Sequence, residues 1–141
     1  MNIQASILVV AGSISLTVTL MLAWCLTGIR YLEMGFLKKL FPSYQYLLKS
    51  HIDYLLMTGL LMVFFLLFDH FRLSPPAVIL LSMTIGSLLN PFGFLVLAIK
   101  PNLRQHPATP FGAIMTCSFL LTTIGYIGAA WSVAHAAVLT S

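Results

Sequence analysis

The chain has 141 residues, of which 60% are hydrophobic and 7% charged, with a mean hydropathy of +1.00. Soluble domains are charged at roughly a quarter of their positions, so a water-soluble globular fold is excluded and the composition is that of an integral membrane protein. The net charge of +4 rests on seven scattered Lys and Arg, too few and too dispersed for the basic face that nucleic acid requires.

A bilayer core is crossed by about 20 apolar residues in a helix, and four stretches qualify. The first runs from Ser6 to Ile29. It has no basic segment in front of it and is too long for a signal sequence, so it is expected to be a retained helix. Next comes "RYLEMGFLKKLFPSYQYLL", which mixes Leu32, Phe36, Leu37, Leu40 and Phe41 with Lys38 and Lys39. That mixture predicts an amphipathic segment lying in the membrane interface over about residues 31–42. Pro42 ends it, and Ser43 is placed to cap the following helix. The second span runs from Ile52 to Phe68, with its helix starting before His51. The third runs from Pro76 to Ile99 behind the Pro75-Pro76 pair, and the fourth from Phe111 to Leu139 behind a loop that holds Pro107 and Pro110.

The apolar runs are continuous, without the alternation of a barrel strand. The expected fold is therefore all-α, a single membrane domain built as a bundle of four transmembrane helices. The first loop carries Arg30, Lys38, Lys39 and Lys49, the third Lys100 and Arg104, and the second only Arg72. By the positive-inside rule the first and third loops are cytoplasmic, so both termini face outward; the expected location is a bacterial inner membrane, with the termini on its periplasmic side.

Polar residues are costly inside a bilayer, so their positions carry information. His51, Tyr54 and Thr58 recur at helical spacing and share a face, with Asp53 pointing elsewhere, toward the rim. Asn90 lies about 15 Å in from Lys100 and Thr58 about 14 Å in from Lys49 at the helical rise, so the two can meet at one depth beneath His51. Membrane Ser and Thr commonly bond across helices or to their own backbone, and Asn90 can equally serve carbonyls freed by Pro91. Gly125 and Ala129, four apart, suit close packing of the last helix, as Gly12 near Ser15 suits the first. Cys25 and Cys117 sit in apolar runs without metal-ligand spacing and read as small buried hydrophobes.

Of four histidines, His70 and His106 fall in solvated ends or loops, and His135 lies near the outer end of the last helix. His51 and His135 are at opposite ends of the span and cannot hold one metal within a chain. His51 with His106 requires the third loop to fold back. A single axial histidine that leaves the metal an open position is the simpler arrangement. No HExxH, Cys/His cluster or phosphate-binding glycine loop is present.

The opening of the second span, "KSHIDYLLMTG", and the third, "MTIGSLLNPFGFLVLAIKPNL", resemble the styrene oxide isomerase family over Pro42 to Val138. Asn90, Gly93, Phe94, Pro101, Asn102 and Leu103 fall in a comparable pattern. The resemblance implies a membrane homotrimer binding haem b, with the iron held by the histidine of the second span, here His51. It implies a ferric Lewis acid that turns an aryl epoxide, a hydrophobic molecule arriving through the membrane lipid, into an aldehyde. The sequence departs from the family where that group has an asparagine after the histidine, here Met57 and Thr58. It departs again at an aspartate and a tyrosine on the third span, where Gly86 and Phe94 fall. Tyr54, Thr58 and Asn90 are the residues expected to stand in as catalytic groups. Two other readings remain open from the residues: a haem-binding accessory or electron-transfer subunit without isomerase activity, and a cofactor-free structural or interaction protein.

Overall fold

The computed structural model describes residues 6–140. They form five helices: α1 (Ser6–Arg30), α2 (Gly35–Leu40), α3 (Tyr44–His70), α4 (Ala77–Ile99) and α5 (Pro110–Thr140), with no strand among the described residues. α1, α3, α4 and α5 are each long and apolar enough to cross a membrane. This chain is thus all-helical with four candidate spans.

Helix ends follow local chemistry. Thr109 starts α5: its Oγ1 accepts from Gly112 N–H at 3.2 Å and donates to the carbonyl of His106 at 2.7 Å. Pro110 follows at the first helical position, where a missing N–H costs nothing. α3 ends in a Schellman turn, Leu73 N–H to Phe68 C=O at 2.8 Å and Arg72 N–H to Asp69 C=O at 3.1 Å. Arg72 takes the left-handed conformation there, at φ 51°. α2 is confined to six residues within the interfacial segment. It lies against the end of α1, where Gly28, lacking a side chain, makes room for Leu37.

α3 begins at Tyr44, well before the apolar run that starts at Ile52. Its first turns carry Tyr44, Tyr46 and Lys49, residues that suit a helix passing through the headgroup zone. Ser43 precedes it without a side-chain cap bond. Its N–H instead donates to Ala98 C=O at 3.2 Å, tying the start of α3 to the end of α4.

The spans stand as a row rather than a closed bundle. α3 packs between α1 and α4, and α5 packs on α4; α1 touches α4 lightly, and α5 barely meets α3. The buried stripe of α3 is Leu47, Ser50, Tyr54, Thr58, Leu61 and Phe68, the three-and-four spacing of one helix face. Two apolar clusters fill the interior, one around Leu61, Phe68 and Met83 and one around Leu22, Leu47 and Tyr54. Hydroxyls of Ser15, Thr58, Thr84 and Ser87 are also buried.

Candidate functional site

His51 is half-buried, and its Nδ1 lies 3.0 Å from Thr19 C=O on α1. A carbonyl oxygen can only accept, so the ring donates from Nδ1, and the neutral imidazole presents Nε2 as a bare lone pair. Nε2 has no hydrogen-bond partner among the described residues. This is how a metal-binding histidine is usually held: one nitrogen pinned to a backbone carbonyl, the other free to ligate. One turn either side of His51, Leu48 and Leu55 are exposed, and on α1 so are Leu16 and Leu20 beside Thr19. The imidazole therefore opens onto an apolar outer face of the α1–α3 pair.

Tyr54 and Thr58 take a different direction. Tyr54 OH donates to Leu88 C=O on α4 at 3.2 Å, and Thr58 Oγ1 donates to Tyr54 C=O at 2.8 Å. Ser50 Oγ donates to Pro91 C=O at 2.9 Å. Pro91 lacks an N–H and disturbs the backbone of the preceding turn, and Ser50 and Tyr54 both bond to α4 carbonyls around it. The face that spacing assigns to His51, Tyr54 and Thr58 is thus split between two neighbours: the ring goes to α1, the two hydroxyls serve α4 and the backbone of α3.

Asn90 does not meet Thr58. Its Nδ2 donates to Asp53 Oδ2 at 2.8 Å. Residues two apart on a helix point about 160° from each other, so Asp53 and Asn90 lie on the far side of α3 from His51. Asp53 points away from His51, as its spacing requires, and bonds to α4. No periodicity in α3 could have found this bond, because its acceptor and donor are 37 residues apart.

Beside Asn90, α4 and α5 leave a cleft of about 330 Å³. Phe94, Phe111, Met115 and Phe119 wall it, and Gln105 lies at its loop end, where the Gln105 amide donates to Tyr46 OH at 3.3 Å. Farther along, Ser87 Oγ and Tyr126 OH pair at 2.8 Å, again joining α4 to α5.

The other histidines are exposed. His106 accepts from Ala108 N–H in its own turn, and His70 lies edge-on to Phe71. No group of three or more His, Cys, Asp and Glu able to hold a metal ion occurs among the described residues. A haem iron does not need one, because the porphyrin supplies four ligands and the protein one or two. A pinned histidine beside an exposed apolar face fits that requirement.

Comparison with protein-family models, curated proteins and solved structures finds no match to this chain.

Proposed function

We propose that this protein binds haem b in the membrane through His51 and isomerises an aryl epoxide to an aldehyde. The observation that carries the reading is the His51 ring, whose Nδ1–H is held by Thr19 C=O at 3.0 Å. That bond fixes the tautomer and aims Nε2 away from α1, raising its basicity as a ligand. Leu16, Leu20, Leu48 and Leu55 offer the apolar surface a flat macrocycle needs. When bound, ferric haem supplies a Lewis acid toward an epoxide oxygen without net redox change. Tyr54 contributes by holding α3 against α4, and Thr58 by bonding to the Tyr54 carbonyl within α3, which keeps the His51 backbone in register with Thr19. The proposal includes a trimer in a bacterial inner membrane, by resemblance to the isomerase family. It places Lys38, Lys39, Lys100 and Arg104 on the cytoplasmic side, by the distribution of charge.

One observation favours a second reading, haem binding without epoxide chemistry. Asn90 and Asp53 are on the opposite side of α3 from His51, and Tyr54 is engaged with Leu88. Neither Tyr54 nor Asn90 then stands as a free donor beside an epoxide at His51.

The test is to purify wild type and His51→Ala from haem-replete cells in mild detergent and record absorption spectra. A Soret band is expected in the wild type and is lost in His51→Ala. Added imidazole restores part of it by filling the emptied position. Wild type is then given styrene oxide: aldehyde formation supports isomerisation, and a haem protein that forms none supports the second reading. A wild type that takes up no haem, even on reconstitution, overturns both.

A further inference from the structure

We infer that the α4–α5 cleft is a second binding site, independent of His51, for a small uncharged aromatic molecule that bears one hydroxyl group, with the phenylalanine walls holding its ring and the Asn90 amide meeting its hydroxyl.

The cleft follows α4 from Asn90 past Phe94 to Leu97, about 10 Å at the helical rise. Those residues recur at four and three, so they share one face of α4. On α5 the lining residues Phe111, Met115 and Phe119 recur at four. Met115 packs where Gly93 has no side chain, and at the loop end the His106 carbonyl packs on Gly112. Thr116 is exposed and Phe119 is 64% exposed. The cleft therefore opens on the outer surface of the α4–α5 pair, the surface that a span turns to lipid.

None of the lining side chains is charged. An ion of either sign would find no counter-charge there, and an unpaired charge held away from water is costly. Hydrogen-bonding capacity is nonetheless left over. Asn90 spends one Nδ2–H on Asp53. Its second N–H and its Oδ1 have no partner among the described residues. Thr116 donates to Gly112 C=O at 2.9 Å and keeps its lone pairs. Gln105 is exposed and already donates to Tyr46 OH, so water competes for what it has left. Asn90 is half-buried, and a bond made to it out of water is the stronger one. An amide that offers both a donor and an acceptor is complemented by a neutral group that does the same, and a hydroxyl does both. The phenylalanine rings and the Met115 thioether favour a flat aromatic body over a flexible chain. A volume of about 330 Å³ suits one ring with a short side chain.

The probe is 3-phenylpropanol, set against three molecules of the same skeleton: propylbenzene, 3-phenylpropylammonium and 3-phenylpropanoate. Binding is read by equilibrium dialysis of the detergent-solubilised protein, with equal detergent on both sides so that partition into micelles cancels. The alcohol is expected to bind saturably. Propylbenzene binds about threefold or more weaker, for want of the hydrogen bond, and both ions about tenfold or more weaker, for want of a counter-charge. Thr116→Trp fills the cleft from an exposed position and abolishes binding of the alcohol. Asn90→Leu lowers the alcohol to the level of propylbenzene, and His51→Ala leaves its binding unchanged. Propylbenzene bound as tightly as the alcohol overturns the inference, by showing a plain apolar groove. Either ion bound as tightly overturns it too, as does binding that survives Thr116→Trp. Alcohol binding lost in His51→Ala also overturns it, by placing the molecule at the histidine. Should Asn90→Leu fail to fold, because it leaves Asp53 without its amide, the four compounds on the wild type and on Thr116→Trp still decide.

Discussion

A carboxylate and a carboxamide facing one another across two membrane helices form a pair whose members can trade places. Asp53 Oδ2 accepts from Asn90 Nδ2 at 2.8 Å, and nothing in that geometry prefers the acid on α3. Asp53→Asn or Asn90→Ala removes the charge-assisted bond and destabilises the protein by about 1–3 kcal/mol. Asn90→Asp alone sets two carboxylates together and costs at least as much. The exchange Asp53→Asn with Asn90→Asp recovers most of the loss, giving a coupling of about 1 kcal/mol or more in a double-mutant cycle read by unfolding in mixed micelles. Additive losses would show that the two side chains do not interact. That Asp53 leaves the His51 face is legible in the sequence, because two residues turn a helix about 200°. Its partner is not legible, since the face α4 turns to α3 follows from packing, with Gly86 close to Thr122 and Gly93 close to Met115 on α5. His51 could be singled out from spacing alone, but the Thr19 carbonyl that orients its ring belongs to the backbone and leaves no trace in residue type.

At the scale of the helices, α4 and α5 come close enough for backbone to meet backbone. A Cβ on Gly125 would stand 2.5 Å from the Met83 nitrogen and 2.9 Å from its Cα, and one on Gly86 2.6 Å from the Thr122 nitrogen. Gly125→Ala therefore forces the helices apart, for about 1–3 kcal/mol of lost stability, and drops the thermal midpoint. Gly59, on the exposed side of α3, has nothing within 4 Å of the same added atom, so Gly59→Ala leaves the midpoint in place. If both variants melt alike, close α4–α5 packing is not what holds these helices. The small residues at Gly125 and Ala129 announce such an approach in sequence, because membrane helices associate through surfaces that let their backbones near each other. The start of α3 at Tyr44 was legible from Ser43 behind Pro42, though not from hydropathy. Apolar runs mark where a chain meets lipid, and α3 continues past its run through Tyr44–Ser50, where a helix in the headgroup zone tolerates Tyr, Lys and Ser. The amphipathic first loop likewise reads as one segment over about 31–42, yet regular helix is held only over Gly35–Leu40.

Across the whole molecule, the row of spans separates the two sides of α3: His51 bonds to α1 and Asp53 to α4. Hydropathy counts spans but says nothing of their order in space, so a bundle and a row are indistinguishable in sequence. Charge says more about direction. Arg30 and Lys49 flank α2, which itself carries Lys38 and Lys39, Lys100 and Arg104 follow α4, and Arg72 stands alone after α3. α1 and α3 reach the α2 end from opposite directions, and α4 ends there too, as the bond from Ser43 N–H to Ala98 C=O records. Six of the seven basic side chains are thereby gathered at one end of the molecule. Lys and Arg near span ends are retained on the cytoplasmic side during insertion, so that end is proposed to face inward. A reporter that works only outside the inner membrane is expected to be active when fused after Ser141 and silent when inserted after Lys39. A cytoplasm-dependent fluorescent reporter should give the reverse. Replacing Lys38, Lys39, Lys100 and Arg104 with Gln, while adding two Lys beside Arg72, removes the bias and should produce a mixed or inverted population. The opposite reporter pattern in the unaltered chain would reject this orientation while leaving the His51–Thr19 and Asp53–Asn90 geometry untouched.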